Sequence, residues 1–156
     1  MDDLSIARAL HVLAVVHWIG GVSMVTLVIL PGLNSMPVAA RLDVFETIEG
    51  PFAWQARLST LIAGLSGAYL THRLAAWGRF ADLAFWWMHL MVIVWAFFTL
   101  VLFVAEPLVL HRWFRQRAAR DPEGTLRLVF RLHLILLTVT AAAVAAGVLG
   151  AHGAFY

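Results

Sequence analysis

Histidines that lie within apolar stretches are the residues of this chain whose type and position point to chemistry. His11 and His17 lie in the apolar run 10–30, and His89 lies in a later apolar run. A charged side chain inside a membrane span costs roughly 2.5 kcal/mol or more, so an ionisable residue there signals function by default. Imidazoles ligate haem iron and other transition metals. These histidines therefore predict a cofactor or metal site within a membrane protein.

The composition agrees with an integral membrane protein. Hydrophobic residues make up 62% of the chain, whereas soluble domains contain about 45–50% apolar residues. The absence of cysteine excludes disulfides, thiolate metal sites, iron–sulfur clusters and covalently attached haem. A net charge of +2 gives no indication of a nucleic-acid partner. Membrane lipid is the partner that the composition predicts.

Four apolar segments predict an all-α fold, an integral membrane four-helix bundle that forms a single domain over 1–156. About 20 apolar residues cross the hydrocarbon core, and the predicted spans are about 6–30, 52–71, 83–104 and 126–149. The acidic N-terminus and the long first apolar run favour a retained helix over a cleaved signal peptide.

Prolines and small residues predict the helix ends and the packing. Pro31 is expected to end the first helix, and Pro51 to begin the second after a short amphipathic interfacial helix at 38–48. Pro107 is expected to kink a helix that continues to Phe114. The second span carries small side chains that favour close packing in the bundle interior. These residues are Ser59, Ala63, Gly64, Ser66, Gly67 and Ala68.

The arginines predict the orientation of the bundle. The end with both termini carries Arg8, Arg73 and Arg79. The opposite end carries the other eight arginines: Arg41, Arg57, Arg112, Arg115, Arg117, Arg120, Arg127 and Arg131. The positive-inside rule places the arginine-rich end in the cytoplasm. We therefore expect a multi-pass protein of the bacterial cytoplasmic (inner) membrane, with both termini on the outer, periplasmic side.

His11 and His89 lie at similar depths, each about one turn inside the outer boundary of its helix. Two histidines at one depth on different helices can ligate haem b axially without a covalent link. Arg8, one turn from His11, and Arg73, at the same end, are candidate partners of the haem propionates. The sequence therefore predicts haem b near the outer face, between the first and third spans.

Other residues near this predicted site leave more than one interpretation open. Trp18 lies two turns from His11 on one helical face and can pack on a porphyrin, although most tryptophans serve packing. Gly21 allows either a close helix contact or room for a flat macrocycle. His17 is a candidate metal ligand, a proton-relay group or a neutral core histidine. Glu106 is expected to pair with Arg131 or Arg127.

Short motifs in two of the spans resemble a known superfamily. His11 with Trp18 and Gly20 matches the pattern H-x6-W-x-G, and Leu30-Pro31 ends that helix. The pattern resembles the first helix of the CopD copper-resistance membrane domain and of the four-helix, HemJ-type protoporphyrinogen oxidases. In the third span, Trp87-Met88-His89 resembles the W-x-H motif of the HemJ type, which has a lysine where this chain has Met91.

The resemblance implies a four-helix membrane protein that binds haem b, with His11 as the principal ligand and His89 as the site residue of the third helix. We expect electron transfer or redox chemistry, with quinone or a partner redox protein as the exchange partner. Whether the chain is an enzyme stays open; if so, it is an oxidoreductase such as a HemJ-like protoporphyrinogen IX oxidase. The alternatives are copper handling of the CopD type, through His11, His17 and the segment 88–91, and an accessory subunit of a respiratory complex. A homodimer is also possible.

Overall fold

The computed structural model describes residues 2–155, apart from the side chains at 38 and 39, and in this part of the chain helices joined by short turns are the only regular secondary structure. Five α-helices of eight residues or more lie in it: α1 (Asp3–Met24), α2 (Val38–Arg73), α3 (Trp86–Leu100), α4 (His111–Ala118) and α5 (Pro122–Ala151). Two π-helical segments extend them: π1 (Val25–Ile29) after α1, and π2 (Val101–Leu110) between α3 and α4. Shorter helical turns cover Leu30–Gly32, Leu33–Ser35, Ala76–Ala81 and Leu83–Phe85. The predicted all-α fold is confirmed.

Aspartates begin two of the long helices. The Asp2 side chain accepts a hydrogen bond from the Ser5 amide at 2.6 Å, and Asp121 accepts one from the Gly124 amide at 2.8 Å. Pro122 occupies the first position of α5, where its missing N–H costs no helical bond. These caps satisfy amides that the first helical turn leaves unpaired.

The predicted break between an interfacial helix and the second span is wrong. α2 runs without interruption from Val38 to Arg73, with Pro51 inside it. Phe45 is 6% exposed and packs in a buried cluster with Val25, Leu30 and Leu33. Burial of this face holds the early part of α2 against the first helix, so the helix continues through Pro51. The first helix also extends beyond Pro31, through Leu33–Ser35.

The predicted continuation of the helix past Pro107 to Phe114 is confirmed. Pro107 lies inside π2, and the helical path continues through α4 to Ala118. Proline in a helix interior removes one backbone donor and clashes with the preceding turn, and helices accommodate such strain by local widening.

Neighbouring long helices pack antiparallel. Along α1 and α2, Asp3 meets Tyr69, His11 meets Ser66, and Gly21 lies against Phe52. α2 also runs antiparallel to the continuous helix formed by α3, π2 and α4, and that helix runs antiparallel to α5. In the core, Trp18 and Val22 of α1 pack with Val94 and Phe98 of α3 and with Ala143 of α5.

Among the residues that the structure describes, three helical segments are long and apolar enough to cross a membrane: Asp3–Ser35, Leu83–Ala118 and Pro122–Ala151. In their most apolar windows only 28%, 22% and 22% of the residues are buried inside the protein. Large apolar side chains therefore cover the outer surface, as expected for a lipid environment. α2, which contains the predicted span 52–71, is not among the three. The four-span count and the orientation of the termini therefore remain predictions.

Candidate functional site

His11 is held by α2 in one defined orientation. Its Nδ1 lies 3.0 Å from the Ala63 carbonyl oxygen and 3.1 Å from Ser66 Oγ. A carbonyl oxygen only accepts, so Nδ1 carries the proton and donates to it. Nε2 then bears the lone pair, and it has no hydrogen-bond partner among residues 2–155. This is the arrangement in which histidine binds a metal, with one ring nitrogen oriented by a carbonyl and the other free.

The small residues of α2 make this position possible. A Cβ added at Gly67 would lie 3.1 Å from His11 Cε1, so a larger residue would press on the ring. Ala63 and Ser66 are 4% and 8% exposed. The predicted interior packing of this small-residue face is confirmed at these positions, whereas Ala68 is exposed.

His89 has a different environment. Its Nε2 lies 3.0 Å from the Phe80 carbonyl oxygen, and its Nδ1 lies 3.4 Å from the Phe85 carbonyl oxygen. The shorter contact assigns the proton to Nε2. The two imidazoles share no hydrogen-bond partner among the described residues. Metal ligation through Nε2 of His89 would require the bond to Phe80 to break.

Trp18 lies in the core between α1 and α3. Its ring makes an edge contact with Phe98 at a centroid distance of 4.8 Å. The buried Nε1 atoms of Trp18 and Trp87 have no hydrogen-bond partner in the described part of the chain. An unpaired buried donor costs roughly 1–3 kcal/mol. These two N–H groups are therefore available to an acceptor within the bundle.

These observations test the fit of haem to the chain. His11 presents a free ring nitrogen of the kind that can ligate a haem iron, and two buried indoles of the core have unused donors. His89, whose Nε2 is occupied, fits as a second ligand only after a rearrangement.

The remaining predicted site residues lie outside this arrangement. Gly21 serves a close helix contact, since an added Cβ would lie 2.7 Å from Phe52 Cε2. Arg73 pairs with Asp3 at 2.9 Å, so it is already engaged. Arg8 is exposed, as is His17. The exposed position of His17 does not agree with a core histidine.

A second group of polar residues gathers at the arginine-rich end. Glu106 pairs with Arg57 of α2, so the predicted pairing with Arg131 or Arg127 is wrong. Arg127 instead lies 3.7 Å from Glu123, one turn away in α5. The ion pair itself was correctly expected, but its partner depends on how α2 packs against π2.

Glu49 and His111 complete this group. Together with Glu106 they place one ligand atom each so that all three atoms lie within 4.8 Å of one another. Glu49 precedes the predicted span 52–71. Burial raises the pKa of Glu49, and the nearby Glu106 carboxylate raises it further. Sequence spacing does not connect Glu49 with Glu106 and His111; the local signal is the Glu106-Pro107 pair at the end of an apolar run.

Comparisons of the chain with protein-family models, with curated proteins and with solved structures found no match.

Proposed function

We propose that this chain is a membrane protein that binds haem b near the end carrying both termini and acts in electron transfer or related redox chemistry, with His11 as an axial ligand. The observation that carries the proposal is the His11 ring, whose Nδ1 donates to Ala63 O while Nε2 is free. The resemblance to the CopD and HemJ-type proteins at His11, Trp18 and Gly20 supports it.

When bound, haem supplies one-electron redox chemistry. The contribution of the chain is to hold and orient it. The Ala63 carbonyl fixes the tautomer of His11 and raises the basicity of its free nitrogen. The surrounding apolar helices exclude water, which controls the redox potential of a buried cofactor.

The bond between His89 and Phe80 favours a haem with one open coordination position. Such a site admits catalysis, which keeps a HemJ-like oxidase as the second candidate function. If His89 instead leaves Phe80 and ligates the iron, the closed site favours electron transfer to quinone or to a partner redox protein.

The proposal includes a location. A four-span topology in the bacterial inner membrane, with 52–71 as a span and the arginine-rich end in the cytoplasm, follows from the positive-inside rule. It brings His11 to the periplasmic half of the membrane.

The test is a visible spectrum and a pyridine haemochrome assay of the detergent-purified protein expressed with ample haem. We expect haem b in the wild type and its loss in His11→Ala, because the free nitrogen is removed. His72→Ala is the matched control, since His72 is an exposed histidine at the same end. The spin state distinguishes the open site (high spin) from the bis-histidine site (low spin).

Retention of full haem by His11→Ala would contradict the assignment of the ligand. A wild-type protein that binds copper and no haem would favour the copper alternative.

A further inference from the structure

The winding of π2 brings Glu106 and His111 to the same side of their helical path. Residues five apart in an α-helix point about 140° away from each other. In a π-helix, hydrogen bonds join residue i to i+5, and the His111 amide donates to the Glu106 carbonyl. The wider turn therefore aligns two side chains that an α-helix would separate.

Pro107 and Arg57 maintain this winding. In the same i to i+5 pattern, residue 107 would donate to the Leu102 carbonyl, but proline has no N–H. Arg57 Nε donates to that carbonyl at 2.9 Å. The guanidinium of Arg57 also pairs with Glu106. One arginine of α2 thus replaces the missing bond and positions the carboxylate.

Charge at this position is not balanced. Arg57 pairs with Glu106, whereas the half-buried Glu49 has no ion-pair partner within the described residues. Arg57 holds Oε2 of Glu106, which leaves Oε1 available. A group with an unpaired carboxylate, a further free carboxylate oxygen on Glu106 and an imidazole is suited to a divalent cation.

We propose that Glu49, Glu106 and His111 form a binding site for a divalent first-row transition metal ion that ties α2 to π2. One ion with bonds of about 2.0–2.2 Å holds its ligands roughly 3–4 Å apart, and the three ligand atoms lie within 4.8 Å of one another. Small side-chain rotations are therefore enough to bring the three ligand atoms to the spacing that one ion requires. Two carboxylates and one imidazole suit Zn²⁺ or Mn²⁺ and disfavour Cu(I), which selects sulfur ligands.

This site is independent of the proposed haem site, since it uses none of the same residues and lies at the opposite end of the molecule. With three protein ligands, the ion keeps at least one position for water, as catalytic metal sites do.

The experiment is titration of the detergent-purified, tag-free, metal-stripped protein with Zn²⁺ and, separately, Mn²⁺, followed by calorimetry. We expect one ion per chain at this site, and an affinity at least about tenfold weaker in Glu49→Gln and in His111→Ala. Glu46→Gln is the matched carboxylate control, because Glu46 lies one turn away on the same helix and pairs with Arg115 at 3.8 Å, outside the group of three ligands. His72→Ala controls for binding by an exposed histidine.

The double variant Glu49→Gln/His111→Ala measures how much metal the other histidines bind. Glu49→Gln keeps the size of the side chain, and His111 is exposed. An unchanged thermal transition of the metal-free protein verifies the fold. If the wild type binds neither ion more tightly than the double variant, or if both single variants bind like Glu46→Gln, the proposal is overturned.

Discussion

His11 and His89 have equivalent positions in the sequence pattern but differ in their hydrogen bonds. The sequence predicts similar depths for His11 and His89, and both have apolar neighbours along the chain. His11 donates from Nδ1 to Ala63 and keeps Nε2 free, whereas Nε2 of His89 lies 3.0 Å from Phe80 O. A ring nitrogen that is bonded to a carbonyl cannot ligate a metal at the same time. The two side chains are therefore not equivalent as ligands.

The environment of Glu49 predicts a measurable pH effect in the metal-free protein. Because burial and Glu106 raise the pKa of Glu49, the folded state disfavours its charged form. We expect Glu49→Gln, measured in chelator, to unfold at a higher temperature than the wild type at pH 8. The difference should shrink as the pH falls through the raised pKa, and vanish below the ordinary glutamate value, where both side chains are neutral.

Thermal unfolding followed by circular dichroism at several pH values measures this effect. Glu46→Gln is the control, since Glu46 lies in an exposed ion pair. A constant difference between Glu49→Gln and the wild type at all pH values would contradict the argument.

Glycines set the distances between helices. A Cβ at Gly64 would lie 2.5 Å from Trp95 Cε2, and Trp95 Nε1 donates to the Thr60 carbonyl at 2.9 Å. In the same manner, the side chains of Met91 and Trp87 pack closely against Gly147 and Gly150 of α5. Small residues thus allow α2 and α5 to approach the bulky side chains of α3, as in other membrane helix pairs.

Gly64→Ala should therefore destabilise the packing of α2 against α3. Inserting a methyl group into a filled contact costs roughly 1–3 kcal/mol, although alanine favours the helix itself. Gly20→Ala is the matched control, because a Cβ at Gly20 meets nothing within 4 Å. Thermal unfolding in detergent should show a lower midpoint for Gly64→Ala and an equal or higher midpoint for Gly20→Ala. Equal midpoints for Gly64→Ala and the wild type would contradict this account.

The molecule as a whole has two chemically distinct ends. One carries the first and last described residues, Asp2 and Phe155, together with His11 and the pair of Asp3 with Arg73. The other carries most of the arginines and the group of Glu49, Glu106 and His111. A surface of large exposed apolar side chains separates them.

Because the chain has no cysteine, single cysteine variants can test the proposed orientation. We expect Ser5→Cys, in the end with both termini, to react with a membrane-impermeant maleimide added to intact spheroplasts. Arg120→Cys, in the arginine-rich end, should react only after the membrane is opened, because the positive-inside rule retains arginines in the cytoplasm. The reverse pattern of labelling would contradict the proposed orientation.

The all-helical, membrane-type character of the chain follows from its sequence, because hydropathy and helix caps such as Asp2 and Asp121 act over a few residues. The selection of His11 as a candidate ligand also follows from the sequence, because this histidine lies within an apolar run. The free nitrogen of His11, the continuity of α2 through Pro51 and the partner of Glu106 depended on the tertiary structure. Each of these results from contacts between residues far apart in the chain, such as His11 with Ala63 and Arg57 with Glu106, and no local pattern specifies such contacts.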